Sequence, residues 1–181
     1  MNTFLKGQDK IVCIVGESGS GKSTIARDLQ RYGLTEIKSY STRDPRFKGE
    51  DTHVFISDLD SKMMLAHENI IAYTFFNGHS YFATYDQFIK NDIYVIDPYG
   101  VEFLSKKVGR ENIMVVYIKT SLYKRFYRMW KERGLKAAFS RIQHDKKAFR
   151  YLDYDKKVVN NTLEDLFYAP LKIVRWIKVW G

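Results

Sequence analysis

An eight-residue stretch near the N-terminus, Gly16-Glu17-Ser18-Gly19-Ser20-Gly21-Lys22-Ser23, constrains this chain more than anything else in it. It satisfies every fixed position of the template Gly-x-x-x-x-Gly-Lys-Ser/Thr, and Thr24 follows at once. Ahead of it, Ile11-Val12-Cys13-Ile14-Val15 is an apolar, mostly β-branched run, as in a strand buried on both faces. Behind it, residues 23–31 read as a helix with Ile25, Ala26 and Leu29 turned inward. A strand that passes through a glycine-rich turn into a helix aims backbone N–H groups at one point, at the positive end of the helix dipole. The glycines let the backbone approach phosphate oxygens, Lys22 brings a mobile charge to the β- and γ-phosphates, and the Ser23 hydroxyl is placed to ligate Mg²⁺. Residues 16–24 are therefore expected to hold a nucleoside triphosphate.

The remaining composition narrows the setting. At 181 residues the chain suits one domain with small inserted lobes, and it is long enough to bury a real core. No apolar run approaches the roughly 18–20 residues of a membrane span, and the N-terminus lacks the apolar region of a signal peptide. The single cysteine, Cys13, falls in the first strand, which excludes an internal disulfide and suggests a reducing, cytoplasmic location. Thirty basic against 21 acidic residues leave a net charge of +9. Such an excess suits either a nucleic-acid surface or a cleft for two polyphosphate ligands. The cations are spread along the chain and no RNA-binding signature accompanies them, so the second explanation is preferred and no nucleic-acid partner is expected.

After the first helix, Tyr32-Gly33 supplies a stop and residues 35–39 alternate like a short strand. Ser39-Tyr40-Ser41-Thr42-Arg43-Asp44-Pro45-Arg46 then forms a hydroxyl-rich bend in which two guanidinium groups three residues apart suit convergence on one phosphate. Ser57-Asp58 caps a helix to about residue 68, residues 70–76 read as a strand, and a turn at 78–82 leads into another. Thr84 and Gln87 form a capping-box pattern. Ile93-Tyr94-Val95-Ile96-Asp97 and Ile113-Met114-Val115-Val116-Tyr117-Ile118 are further buried strands, the first ending in a carboxylate at the sheet edge where parallel sheets bind ligands. Thr120-Ser121 caps a helix whose Leu122, Phe126, Met129 and Trp130 share a core-facing stripe, with Lys124, Arg125, Arg128 and Lys131 assigned to solvent. A second helix follows Arg133-Gly134 and carries Arg141. The basic, aromatic stretch 171–180 suits a terminal helix docked on the sheet, with Lys172, Arg175 and Lys178 outward, rather than a membrane-surface helix.

Together these segments resemble the guanylate kinase family along nearly the whole chain. In that family the phosphate loop is followed by Ser-x-Thr-Thr-Arg-x-x-Arg, then Gly-Glu, then Asp-Tyr-x-Phe, and this chain has Ser39 to Arg46, Gly49-Glu50 and Asp51-Thr52-His53-Val54-Phe55. The resemblance implies that Ser39, Arg43, Arg46 and Glu50 bind the acceptor monophosphate, with His53 in place of a phosphate-contacting tyrosine. Tyr81 and Thr84 occupy the places of the family's Gly-Asn-Tyr-Tyr-Gly-Thr/Ser tyrosine and base-reading hydroxyl, with Ala83 where the family has glycine. Ala72 stands where the family's Glu-Phe-x-Glu-Trp segment carries the carboxylate that reads guanine. Asp97 is the surviving acid of Asp-Ile-Asp-x-x-Gly and is implied to contact the acceptor or the Mg²⁺ shell. Arg133 and Arg141 flank the lid, and Asn160, at the end of 156–160, is implied to lie by the adenine ring.

The expected fold is a P-loop α/β three-layer sandwich with a parallel central sheet. The expected divisions are a core of 9–33, 91–132 and 151–181, a monophosphate-binding lobe at about 34–90, and a lid at about 133–150. The expected activity is ATP- and Mg²⁺-dependent phosphoryl transfer to GMP, dGMP or a related nucleotide. Lys22, Arg133 and Arg141 would carry catalysis, and Gly16 to Thr24 with Asn160 would bind ATP. Ser39, Arg43, Arg46, Glu50, His53, Tyr81, Thr84 and Asp97 would bind the acceptor, and Ser23 and Asp97 the metal. A kinase of another nucleotide or of a sugar phosphate, or a non-catalytic binding module, are the alternatives. Small-molecule nucleotides are the expected partners, with no membrane and a monomer or homodimer.

Overall fold

The structure is a computed structural model and describes residues 10–180. Its centre is a five-stranded, all-parallel sheet of β1 (Ile11–Val15), β2 (Glu36–Ile37), β7 (Ile93–Val95), β8 (Ile113–Lys119) and β9 (Lys156–Val159), in the order β2-β7-β1-β8-β9. Every residue of β1 is buried, as its uninterrupted apolar sequence requires of a central strand covered on both faces.

The two faces bury different residues of the same strands. Val12 and Ile14 of β1, with Val116 and Ile118 of β8, pack under α1 (Lys22–Gln30) and α7 (Leu163–Trp180) through Ile25, Leu29, Ile173 and Ile177. Ile11, Cys13 and Val15 face the other way, against Val101 and Leu104 of α4 (Pro98–Val108), Phe88 of α3 (Tyr85–Lys90) and Ile71 of β5 (Ile70–Phe76). Period-two alternation in a parallel strand thus divides one apolar run between two cores.

A second, smaller sheet lies between β2 and β7 in sequence. It comprises β3 (Tyr40–Ser41), β4 (Val54–Phe55), β5 (Ile70–Phe76) and β6 (His79–Thr84), in the order β4-β3-β6-β5. Strands β5 and β6 form an antiparallel hairpin closed by Asn77-Gly78, both residues with positive φ, as a two-residue hairpin loop demands. α2 (Asp58–His67) connects β4 to β5 and is capped by the Ser57 hydroxyl, which accepts the Asp60 N–H at 3.0 Å.

The remaining helices, α5 (Leu122–Arg133) and α6 (Leu135–Ala148), follow β8, joined by Gly134 at φ +81°. A 3₁₀ turn, Arg110–Asn112, leads from α4 into β8. Three local expectations change. Strand β7 ends at Val95, and Asp97 belongs to α4, which the sequence reading lacked; its carboxylate accepts the Gly100 N–H at 2.8 Å, with Pro98 opening the helix. The Ser121 hydroxyl makes no cap, and Leu122 and Trp130 are exposed, because α5 turns Arg125 and Met129 to the interior instead. Strand β2, inside the 34–90 range read as a lobe, pairs with β7 in the central sheet.

Residues 171–180 dock as expected, within a longer helix that runs through Pro170. Ile173, Val174 and Ile177 are buried while Lys172, Arg175 and Lys178 face outward. The Ile173→Ala substitution is expected to lower unfolding free energy by about 2–4 kcal/mol, through lost burial and a residual cavity. Lys172→Ala on the opposite face should change it by less than about 0.5 kcal/mol. Urea titration of the two variants distinguishes them, and equal small losses would contradict a seated α7.

Candidate functional site

The loop between β1 and α1 takes the shape that its glycines allow. Gly19 and Gly21 adopt φ of +75° and +93°, conformations that L side chains rarely hold. A Cβ at Gly19 would lie 2.9 Å from the Arg125 carbonyl, and one at Gly21 would run into the Asn160 amide. The loop is therefore closely backed by α5 on one side and by the end of β9 on the other. Gly21 ends it as the N-cap of α1, so the first-turn N–H groups of that helix open into the concavity.

Lys22 folds back over this loop. Its ammonium donates to the Gly16 carbonyl at 2.5 Å and the Glu17 carbonyl at 3.2 Å. Burial pushes its pKa down to about 8, against the opposing pull of the Asp145 and Glu17 carboxylates. Ser23 and Thr24 are exposed in the first turn of α1.

Lys22 opens onto a cleft of about 310 Å³ between the two sheets. Gly16, Ser18 and Lys22 of the phosphate loop line it together with Ser39, Arg46, His53 and Tyr81. Ala72 and its β5 neighbours, Tyr94, Asp97 and Tyr99, and Arg141, His144 and Asp145 of α6 complete the lining. The volume lies in the range of small-molecule sites.

The cations around this cleft crowd one another. Arg46 and Arg141 are both held below the usual guanidinium pKa, chiefly by burial, then by the positive charge of Arg133. Arg43 adds to the effect on Arg46, and Arg46 itself to that on Arg141. Such an assembly of guanidinium groups favours an anion among them. Arg141 also stacks over the Phe76 ring, its guanidinium carbon 5.7 Å from the centroid.

The two arginines of the bend are arranged differently from each other. Arg43 is buried and does not reach the cleft. Its guanidinium forms a two-point pair with Glu50, at 3.0 and 2.5 Å, and lies 4.9 Å from the centre of the Phe55 ring. Glu50 in turn accepts the Arg46 backbone N–H at 2.7 Å and the Thr52 hydroxyl at 2.6 Å and lies 3.6 Å from Arg46 Nη1; the Arg43 pair first, then the Thr52 and Arg46 N–H bonds, hold its carboxyl well below the usual range. A carboxylate so committed repels phosphate; Glu50 shapes the bend, and Arg46 is the guanidinium that lines the cleft.

His53 lines the cleft with its ring against Tyr81, centroids 5.4 Å apart. Burial, followed by the Arg43 charge, pushes its pKa down to about 4. At neutral pH, in the ligand-free site, it is a neutral donor or acceptor. Its Nδ1 is buried without a hydrogen-bond partner. Ser39 shares a 2.7 Å hydrogen bond with Tyr94 at the cleft wall.

Besides Arg43 and Glu50, three expected residues outside the phosphate loop lie away from the lining. Thr84 is buried where β6 meets α3, its N–H donating to the Gln87 side chain at 3.2 Å. Asn160 is buried beneath the phosphate loop, donating to the Ser20 carbonyl at 2.7 Å. Arg133 acts on the cleft through its charge and does not line it.

For Mg²⁺, no group of three or more acidic, histidine or cysteine side chains suited to a metal occurs among the described residues. Mg²⁺ commonly keeps several waters and binds through one or two protein oxygens plus phosphates. The exposed Ser23 hydroxyl could supply one such oxygen. Asp97 lines the cleft and has committed one of its two oxygens, to Gly100.

Sequence reasoning missed Arg125 and Asp145. Arg125 is 5 % exposed and Asp145 6 %, and both engage the phosphate loop directly. The available signal was spacing: Arg125 lies four residues before Met129, on the same helical face.

Comparison with known proteins agrees with this architecture. A family model described as guanylate kinase matches residues 8–174. The crystal structure of guanylate kinase from Anaplasma phagocytophilum superposes with a TM-score of 0.68 at 23% identity, over 94% of this chain and 85% of that one. That of an uncharacterized protein from Eubacterium ventriosum gives a TM-score of 0.53 at 15% identity, over 95% of this chain and 99% of that one. No curated protein matches the chain in sequence. With a matched segment spanning nearly its whole length and a P-loop α/β core around a five-stranded parallel sheet, the chain belongs to the guanylate kinase family.

Proposed function

We propose that the protein transfers the γ-phosphoryl group of ATP to the phosphate of a nucleoside monophosphate, with GMP or dGMP as the first acceptor to test. The observation that carries this reading is the shared cleft: Lys22 with Gly16 and Ser18 of the phosphate loop, Arg46, His53 and Tyr81, and Arg141 all line one cavity of about 310 Å³. Two anions held by these groups within one cavity of that size are close enough for a phosphoryl group to pass between them.

In this reading the loop amides and Lys22 hold the triphosphate of ATP. Arg46 and Tyr81, with neutral His53, hold the acceptor phosphate, and Arg43 acts through Glu50 by fixing the bend. Arg141, with Arg133 behind it, places positive charge where negative charge spreads during transfer. Asn160 supports the loop that receives ATP. Ser23 and Asp97, with the phosphates, would hold Mg²⁺, which would supply neutralisation of phosphate charge. An acceptor phosphate oxygen is already nucleophilic, so no general base is required.

A second reading concerns the acceptor. Ala72 lines the cleft at the position where the family carries its guanine-reading carboxylate, and it is paired across the hairpin with Ala83. A site that reads a base edge through a buried acceptor discriminates steeply, and one without it does not. This favours a non-guanine nucleotide or a sugar phosphate as acceptor. Coupled ADP-release assays over a panel of nucleoside monophosphates and sugar phosphates decide the matter. Turnover of GMP or dGMP supports the first reading, turnover of another acceptor alone supports the second, and turnover of none points to a binding module. Where turnover occurs, Lys22→Ala is expected to lower kcat/KM by on the order of 10²–10³-fold.

Lys22 also predicts a pH dependence. Its folded pKa of about 8 lies below the ordinary lysine value, so the charged form is penalised in the empty site and becomes less populated above that pH. A polyphosphate requires the charged form. ATP affinity is therefore expected to fall as pH rises from about 7 to about 9.5, by up to tenfold per unit beyond the pKa. The ligand-free protein gains stability over the same rise. Calorimetric titration should show this slope in the wild type and a flatter one in Lys22→Ala; a flat wild-type profile would contradict it.

A further inference from the structure

The inward face of α5 carries a charge that phosphate binding does not use. The Arg125 guanidinium joins three parts of the fold: Nε donates to the Ser18 carbonyl at 3.0 Å, Nη1 to Glu17 Oε1 at 3.2 Å, and Nη2 to Asp145 Oδ2 at 2.7 Å. Asp145 lies on α6, and the same Oδ2 accepts the Ser18 backbone N–H at 2.8 Å, while Oδ1 accepts from the Ser18 hydroxyl at 3.2 Å. Glu17 is further held by the Tyr117 hydroxyl at 2.8 Å and the Lys119 ammonium at 3.2 Å.

Buried ion pairs of this kind are weak evidence for stability, since apolar groups of the same volume often do as well. Their geometry carries more information. Asp145 binds the first half of the phosphate loop through both of its oxygens, and it lies four residues beyond Arg141 on the same face of α6. Arg141 is the guanidinium that α6 sends into the cleft. The carboxylate that ties this helix to the loop thus sits one turn from the cation facing the reacting groups.

We propose that Arg125 and Asp145 are positioning residues that key α6 to the phosphate loop, so that Arg141 stands over the transferring group in fixed register with residues 16–19. The catalytic consequence rests on the kinase reading above; the mechanical link does not. Displacement of a transition-state cation by about 1 Å costs on the order of 10²-fold in rate, so a buried, multiply bonded link is a suitable device for fixing it.

Two measurements test this. The first is amide hydrogen exchange of the nucleotide-free protein, comparing wild type, Asp145→Asn and the paired apolar replacement Arg125→Met/Asp145→Leu. Exchange across residues 135–148 should rise about tenfold in both variants, with α7 unchanged. No rise, or an equal rise in α7 that marks a global loss of stability, overturns the link. The second uses whichever acceptor is turned over. Asp145→Asn should lower kcat about tenfold with KM for ATP changed less than about threefold, and should lower kcat less than about twofold when Arg141 is already alanine. Equal losses in the two backgrounds, or no loss in the first, overturn the proposal. Should Asp145→Asn fail to fold, the apolar pair, which leaves Glu17 bonded to Lys119 and Tyr117, replaces it in both measurements. Should no acceptor be turned over, the kinase reading fails while the exchange experiment still decides the link.

Discussion

A lysine ammonium folded against two backbone carbonyls, with burial pulling its pKa down to about 8, is poorly solvated, and much of the structure is arranged around it. Lys22 follows directly on Gly21, the left-handed N-cap of α1, so the turn between β1 and α1 sets where its side chain starts. What it lacks is a close anion. Glu17 and Asp145 are near enough to act on its charge, yet both are committed to Arg125 and to loop or strand partners. Arg46 and Arg141 are likewise depressed by burial and by other arginines, Arg46 despite Glu50 at 3.6 Å. Folding therefore produces a cavity whose positive charge an entering polyphosphate can neutralise, in surroundings where water screens poorly.

The carboxylates near this cavity do different work from the cations. Glu50 fixes the bend that presents Arg46, through a two-point pair with Arg43 and the Arg46 backbone N–H. Glu17 and Asp145 fix the phosphate loop from β8, α5 and α6. Glu17 and Glu50 lie outside the lining of the cleft, and Asp145, which lines it, is bonded to Arg125 and Ser18. This arrangement holds the cations in place while leaving their outward faces to the ligand, which is the meaning of preorganisation for a charged site.

Much of this was legible in the sequence because local chemistry decided it. The phosphate loop needs its glycines at positions where only positive φ or an absent Cβ is tolerated, and β1 needs an unbroken apolar run to be covered on both faces. The 70–76 strand and the Ser57 cap follow from alternation and from hydroxyl geometry, and the structure has both where they were expected. What escaped was decided by contacts between segments far apart in the chain. Arg125 looked like a surface charge because its partners, Glu17 and Asp145, lie 108 and 20 residues away. Arg43 and Arg46 looked equivalent because nothing in a linear bend shows that Glu50 will hold Arg43 in a buried two-point pair and leave Arg46, at 3.6 Å, on the cleft lining. Asp97 read as a strand end because the pairing partner that stops β7 at Val95 lies in β1.

The central claim is that one cavity seats two phosphate-bearing ligands at once, between Lys22 and Arg46. Its most direct measurement is calorimetric titration with a two-headed ligand in which adenosine and the acceptor nucleoside are joined by a chain of five phosphates. The account predicts one molecule bound per chain, at least about tenfold tighter than ATP alone, with the affinity lowered by Arg46→Ala as well as by Lys22→Ala. Binding no tighter than that of ATP and indifferent to Arg46 would contradict it.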